Sequence, residues 1–225
     1  MRFSVCLLVL FSTLFALAQN PASSYNDPDA AALLQKVSEK YKSYKNISST
    51  FKLVVQKPKV KPEDNEKKLT DTLSGKILLE GNKFNLTIKG QQIVCDGKNV
   101  WTYIPLSNEV QVNYFEESDD ILSPTKIFTF YTDGYSYQLK EKKTIAGKQV
   151  TVVEISPSNK KVSYFKIDVA IDEATLQIVE TKIYQKSGMR YVYMLTKQTF
   201  NTATTADSFV FDASKHPGVK ITDLR

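Results

Sequence analysis

Short runs in which apolar and polar residues alternate fill most of this chain, and they restrict its fold more than any other feature. In one of them Phe165, Ile167, Val169 and Ile171 alternate with polar neighbours. Successive side chains of a β-strand point to opposite faces, so each run has one face to bury. Turn residues separate the runs at intervals of about 8–12 residues, which is typical of an all-β barrel or sandwich. The pattern predicts about eleven strands between residues 47 and 199.

The clearest hairpin is centred on Asp96-Gly97. Residues 93–95 lead into it and residues 100–104 lead out, and both runs are rich in the β-branched and aromatic residues that strands favour. Asp-Gly favours a two-residue type I′ turn, which needs a positive φ at both central positions. Pro105, which has no N–H for the ladder, ends the second strand. Both faces of that strand are apolar, so the pattern leaves open which of them points inward.

Two segments have the features of helices instead. Asp27 is placed to cap a helix that begins at Pro28, and apolar residues recur at helical spacing through residues 28–44. Farther along, Ser123-Pro124 is placed to begin a short helix that runs to residue 131. Its apolar side chains are Ile127, Phe128, Phe130 and Tyr131.

A single antiparallel sheet of this length does not stay flat, because its twist curls it toward a barrel. The two predicted helices are suited to plug or cover such a barrel. If the centre is hollow, it is apolar, aromatic-rich and poor in charge, which suits acyl chains. If the centre is filled, the same aromatic residues form an ordinary solid core. Alternation alone does not distinguish these two interiors.

The N-terminal stretch has the features of a secretory signal. Arg2 precedes an apolar run over residues 3–17, and Ala16-Leu17-Ala18 forms a cleavage site. We therefore expect cleavage after Ala18, which would leave an exported protein with one domain, residues 19–225. The alternative is that the N-terminal segment is retained as an anchor. The exported chain keeps a single cysteine, Cys95, and therefore no internal disulfide is expected.

The basic charge of the chain is spread out. The formal net charge is +6, and nearly all of the basic residues are lysines scattered along strands and turns. Nucleic-acid grooves favour arginine and clustered basic residues, so we expect no nucleic-acid partner. A weak attraction to anionic lipid or to an acidic partner stays open, and ionic strength would reveal it. The Lys/Glu/Pro-rich residues 57–71 are expected to form a solvated loop.

The residues for catalysis are few. His216 is the single histidine, and together with Cys95 it offers neither a zinc site nor a Cys-His pair. We therefore expect no enzyme, metal or cofactor. An envelope hydrolase is the weakest hypothesis, and its carboxylate pairs would be Asp119 with Asp120 or Asp168 with Asp172.

Two stretches resemble a known family. Residues 91–105, QQIVCDGKNVWTYIP, resemble the S-D-G-x-x-x-W-x-Y-x-P signature of the periplasmic outer-membrane lipoprotein carrier family (LolA type). Residues 209–225 are similar to the F-x-F…P-x-G-V-x-V-x-D ending of that family. The strand that begins at Gly75, and Phe84 after it, also match in order.

The resemblance implies a fold and a function. The fold is a mainly β protein with α, a single unclosed (half) antiparallel β-barrel with an N-terminal helix and a short lid helix, residues 123–131, over an apolar cavity. The function is a monomeric, non-enzymatic carrier in the periplasm. It takes lipidated lipoproteins from an inner-membrane ABC-type release complex and delivers them to an outer-membrane receptor. The residues expected to shelter the acyl chains are Phe51, Leu53, Phe84, Leu86, Trp101, Ile127, Phe128 and Phe130.

One departure from the family motif concerns the lid. Where the family has Arg-Pro-Asn-x-Phe, this chain has Glu80-Gly81-Asn82-Lys83-Phe84, without the arginine that ties barrel to lid. How the lid opens here is therefore an open question. The alternative function is a periplasmic lipid-binding sensor or lipid-transfer module on the same fold.

Overall fold

A computed structural model describes residues 26–59, 69–116 and 134–225 of the chain. The described residues form one helix, α1 (Pro28–Ser43), two short 3₁₀ helices (Ala206–Phe209 and Ala213–Lys215), and twelve strands. The strands are β1 (Ile47–Gln56), β2 (Thr70–Glu80), β3 (Lys83–Ile88), β4 (Gln91–Cys95), β5 (Asn99–Ile104), β6 (Glu109–Tyr114), β7 (Tyr135–Ile145), β8 (Lys148–Pro157), β9 (Tyr164–Asp172), β10 (Gln177–Gln185), β11 (Arg190–Phe200) and β12 (Lys220–Asp223).

All twelve strands belong to one sheet, in the order β12-β6-β5-β4-β3-β2-β1-β11-β10-β9-β8-β7. Neighbours are antiparallel, except that β12 runs parallel to β6. The end strands β7 and β12 do not pair with each other, so the sheet is an open barrel, as predicted. The eleven strands predicted from alternation are all present, and β12 is the one that the pattern missed. The short helix predicted at 123–131 lies outside the described residues.

The structure contains the predicted hairpin at Asp96, but the prediction of a two-residue type I′ turn is wrong. Gly97 has a φ of 92°, whereas Asp96 is not in the positive-φ region, and the connection between β4 and β5 spans residues 96–98. The Asp96 carboxylate accepts hydrogen bonds from the N–H groups of Lys98 and Asn99, both at 2.7 Å. This side-chain turn replaces the backbone turn that Asp-Gly would otherwise favour. Positive φ at both central residues occurs instead at Lys89-Gly90 and at Ala146-Gly147.

Helix α1 begins where the sequence predicts, and its first residues fasten the edge of the sheet. Asp27 Oδ1 accepts from the N–H groups of Asp29 (2.9 Å) and Ala30 (3.3 Å). The backbone N–H of Asp27 donates to the carbonyl of Tyr137, and its Oδ2 accepts from the N–H of Leu139, both on β7. The hydrogen bond from Leu139 holds the pKa of Asp27 below its ordinary value. Helix start and edge strand are thereby joined, which covers polar groups that an edge would leave exposed.

The buried side of α1 fills the concave face of one half of the sheet. Leu34 and Val37 are at most 2% exposed, and Tyr41 spans two strands. The Tyr41 hydroxyl donates to Gln198 Oε1 (2.6 Å) and accepts from the N–H of Ile178 (3.0 Å). Burial raises the pKa of Tyr41, so the hydroxyl stays neutral at any physiological pH.

Among the described residues, no helix combines the length and the apolar character needed to cross a bilayer.

The C-terminal tail adds a second, smaller apolar layer on the convex face. Phe209 and Phe211 are buried there, and so are Val94 and Val110, which are fully covered. The ring of Tyr103 lies 5.3 Å from that of Phe211. Beyond this layer β12 pairs with β6 and extends the sheet.

Candidate functional site

The concave face of the sheet has two halves that differ in how completely they are covered. The packed half is the concave side of β8, β9 and β10, which lies under α1. Its side chains are completely or almost completely shielded from solvent, and they belong to one apolar core. Six of them are 0% exposed: Val153, Ile155, Ile167, Val169, Ile171 and Ile178.

The open half lies on β2, β3 and β4. Leu73, Leu86, Ile88 and Ile93 pack against the same core but are only partly buried. Strand pairing makes them neighbours, because Leu86 is opposite both Ile77 and Ile93, and Ile88 is opposite Gly75. The four side chains therefore form one continuous apolar surface that the described residues leave partly uncovered.

Phe51 lies beside the open half and packs directly against Gly75. The two residues are directly opposite each other on β1 and β2. A Cβ on Gly75 would lie 2.3 Å from Cζ of Phe51, far inside van der Waals contact. The missing side chain therefore lets the end of the Phe51 ring approach the backbone of β2, and Phe51 is only 4% exposed. This contact gives a physical reason for the glycine that resembles the family motif.

Four of the residues predicted to shelter acyl chains lie together on the concave face. Phe51 and Leu53 alternate on β1, and Leu53 is opposite Leu73. Phe84 and Leu86 occupy the same face of β3, and Phe84 is opposite Cys95. Phe84 is buried, whereas Leu86 is partly exposed in the open half. Ile127, Phe128 and Phe130 lie outside the described residues.

Trp101 lies on the other face of the sheet. It is opposite Val94 on β4 and Val112 on β6, and both of these valines are buried on the convex side. The concave side of β5 carries Val100, which is opposite Cys95. Both faces of β5 are apolar because the C-terminal tail forms a second apolar layer on its convex side, and Trp101 belongs to that side. The structure does not bring Trp101 together with Phe51 and Phe84.

Sequence reasoning did not nominate Leu73, Ile88 and Ile93 for the site. Alternation places Leu73 and Ile88 on apolar faces, and Ile93 belongs to the β-branched run before Asp96-Gly97. Nothing in their own strands distinguishes a covered position from an uncovered one. The difference comes from α1, which is distant in the chain and covers β8 to β10 but leaves them partly exposed.

The centre of the open half carries no charged side chain among the described residues; Asp71, on the same face at the start of β2, is paired with Lys57 (3.1 Å). Three rows of residues, each opposite one another on neighbouring strands, cross this centre, and all of them are apolar or neutral. The rows are Leu53 and Leu73; Phe51, Gly75, Ile88 and Gln91; and Ile77, Leu86, Ile93 and Thr102. An ionised group would lose its hydration against such a surface, whereas a hydrocarbon loses nothing. The arrangement therefore suits an aliphatic ligand.

The carboxylates considered for catalysis have structural partners. Asp168 Oδ2 accepts from the hydroxyl of Tyr184 (2.7 Å), and Asp172 Oδ2 accepts from the hydroxyl of Thr175 (2.8 Å) in the β9–β10 turn. Asp119 and Asp120 lie outside the described residues. Within the described part of the chain, no group of three or more His, Cys, Asp or Glu side chains is placed to hold a metal ion.

Comparisons with known proteins agree with the resemblance seen in the sequence. The chain is 31% identical over 157 residues to an outer-membrane lipoprotein carrier protein of Histophilus somni, covering 68% of this chain and 72% of the relative. It is 27% identical over 209 residues to an outer-membrane lipoprotein carrier protein of Shewanella loihica, covering 91% and 89%.

A family model and a solved structure extend the match. The model of a family described only as an uncharacterized protein matches residues 85–216. An uncharacterized conserved protein of Thermus thermophilus shares the fold, with a TM-score of 0.53, 10% identity, and coverage of 86% of this chain and 98% of the other. With these relatives, an unclosed sheet and α1 over its concave face, the chain belongs to the outer-membrane lipoprotein carrier family, a family of carriers and not of enzymes.

Proposed function

We propose that this protein shelters the acyl chains of lipoproteins in the open half and moves them through the periplasm from the inner to the outer membrane. The observation that carries the proposal is a continuous, uncharged apolar surface that stays partly uncovered beside a half packed under α1. Membership of a lipoprotein carrier family supports the class of cargo. In the same proposal, residues 1–18 direct export, an ABC-type complex releases the cargo, and an outer-membrane receptor accepts it.

The energetics explain why such a cargo needs a carrier. Each CH₂ group removed from water contributes about 0.8 kcal/mol, so burying ten of them contributes about 8 kcal/mol. An acyl chain therefore does not leave a bilayer for water unaided. A surface built from Leu73, Leu86, Ile88 and Ile93 offers the chain an apolar contact of the same kind.

The packed half has a supporting role in this proposal. Its fully buried residues supply stability that does not depend on the ligand, so the open half can remain partly exposed without unfolding the sheet. Phe51 and Leu53 connect the two halves, because β1 lies between β2 and β11 in the sheet.

The test is recovery of cargo from cells. The protein is purified from the periplasm of a strain that makes a tagged lipoprotein, and, in parallel, the same lipoprotein with its acylated cysteine changed to serine. The proposal expects co-elution of the lipidated form alone. Co-elution of the unlipidated form, or recovery of phospholipid or fatty acid without any lipoprotein, would contradict it; the second result would favour a lipid sensor or transfer module.

A further inference from the structure

One end of the sheet is strongly basic. Three connections meet there: the end of β1 with the start of β2 (residues 57–59 and 69–71), the β8–β9 loop (158–163) and the β10–β11 turn (185–190). We name these described residues the basic end. Asp71 is the single carboxylate among them. Their basic residues are Lys57, Lys59, Lys160, Lys161, Lys186 and Arg190.

The three connections form one surface because they contact one another. The N–H of Lys186 donates to the carbonyl of Ser163 (2.9 Å), and Lys186 Nζ donates to the carbonyl of Lys160. A Cβ on Gly188 would lie 2.9 Å from Cβ of Pro58, so the β10–β11 turn touches the end of β1. A cleft of about 460 Å³ lies between them, lined in part by Lys57, Lys59 and Arg190.

The opposite end of the sheet has a different charge pattern, although it is built from the same strands. There lysines and carboxylates are mixed: Lys142 lies 3.1 Å from Glu173 and Lys148 lies 3.9 Å from Asp172, and Glu80 and Asp96 lie within three residues of Lys83 and Lys98. At the basic end, Asp71 pairs with Lys57 (3.1 Å). No ion pair among the described residues involves Lys59, Lys161 or Arg190. Residues 60–68, which lie outside the described residues, carry three lysines and three acidic residues and add no net charge.

We propose that the basic end docks on the surface of an anionic phospholipid bilayer. The positive charges are complementary to the phosphate groups of such a surface, where each lysine strengthens binding about fivefold. Five of the six cations are lysines, whose compact charge suits a fluid array of head groups; paired recognition of one carboxylate or phosphate favours arginine. A bilayer is therefore a better match than an acidic protein with fixed carboxylates.

The orientation of the open half supports the same partner. Leu73 lies near the start of β2 and Ile88 at the end of β3, so both are at the end of the sheet that carries the basic loops. Lys89, in the β3–β4 turn, adds a further cation at that end. Docking by the basic end would bring the partly uncovered apolar surface close to the head groups.

Sedimentation with vesicles tests the docking without any lipoprotein, so its failure and the failure of the carrier function are separate results. Purified protein is mixed at low salt with vesicles of phosphatidylcholine alone or of equal parts phosphatidylcholine and phosphatidylglycerol. We expect at least about tenfold stronger binding to the anionic vesicles, and loss of that binding in about 0.5 M NaCl. Equal binding to both vesicles, or binding that resists salt, would overturn the proposal.

Two double variants with the same change in net charge locate the surface. K59E with K161E alters the basic end, and K45E with K98E alters the opposite end; no described ion pair or side-chain hydrogen bond involves any of these four side chains. We expect binding to anionic vesicles to fall about tenfold or more in the first variant and less than about threefold in the second. Equal losses would show that only net charge matters and would overturn the assignment to the basic end. Thermal unfolding of both variants controls for loss of structure.

Discussion

The packed half and the open half of the concave face are made of the same kinds of residue, yet among the described residues only the packed half is fully covered. Ile167 and Ile171 are fully buried, whereas Leu86 and Ile93 are partly exposed, and all four point to the same side of one sheet. The difference is α1, which packs across β7 to β11 and is tied to them through Tyr41 and Asp27. In such a fold, an apolar residue that faces the core can form part of a binding surface where the packing leaves it partly exposed, so composition alone does not identify the surface.

The largest expected effect separates the two halves by stability. Ile171→Ala creates a cavity in the packed half and should lower the free energy of unfolding by about 2–5 kcal/mol. Leu86→Ala removes a side chain that is already partly in water and should cost about 1 kcal/mol or less. Urea unfolding of both variants measures the difference. Equal losses would mean that the open half is as well packed as the packed half.

The next prediction separates the halves by binding. Leu86→Glu places a carboxylate in the open half and should weaken the binding of a lipidated peptide by about tenfold or more. A bound acyl chain would remove water from the carboxylate, which costs free energy. Thr87→Glu is the matched control, since Thr87 is the next residue of β3 and faces the convex side. We expect less than about a twofold change there. Fluorescence titration with a lipidated peptide measures both variants, and equal weakening would remove the concave face from the site.

A third effect, on stability, is expected at the contact between Gly75 and Phe51. Gly75→Ala forces the Phe51 ring away from β2 and should cost about 1–3 kcal/mol of stability. In a Phe51→Leu background, the same change should cost less, because a smaller side chain can give way. A double-mutant cycle by urea unfolding measures the coupling. Additive losses would show that the alanine is strained by something other than the ring.

The smallest effect concerns the join between α1 and β7. The pKa of Asp27 is lower in the folded chain than its ordinary value of 3.8, so the ionised carboxylate stabilises the fold. This contribution is complete at pH values above 3.8 and is lost as the pH falls through the folded-state pKa. Asp27→Asn should therefore lower the urea midpoint at neutral pH, and the gap from the unmodified protein should narrow below about pH 3.8. A gap that stays constant with pH would show that the carboxylate charge is not involved.

Much of this architecture can be read from local sequence. Alternation identified eleven strands, and the Asp27-Pro28 pair located the start of α1. β12 was missed because a four-residue strand has no period of its own and is held by its pairing with β6. The turn at Asp96 differed because the side chain itself accepts the backbone hydrogen bonds.

The site was harder to predict than the fold. The face of Trp101 was undetermined because both sides of β5 are apolar, and the tail that covers the convex side is distant from β5 in the chain. Leu73, Ile88 and Ile93 could not be told from core residues, because their partial exposure depends on how the described elements pack in the folded sheet. Local patterns report which face of a strand is apolar; tertiary packing decides which apolar positions remain available to a ligand.

Photo-crosslinking from single positions shows which face of the sheet contacts the acyl chain. A benzophenone amino acid is placed at residue 86 or at residue 101, and the protein is irradiated with a lipidated peptide whose acyl chain carries the label. We expect crosslinking to the acyl chain from residue 86, on the concave open half, and none from residue 101, on the convex face. Crosslinking from residue 101 without any from residue 86 would contradict it.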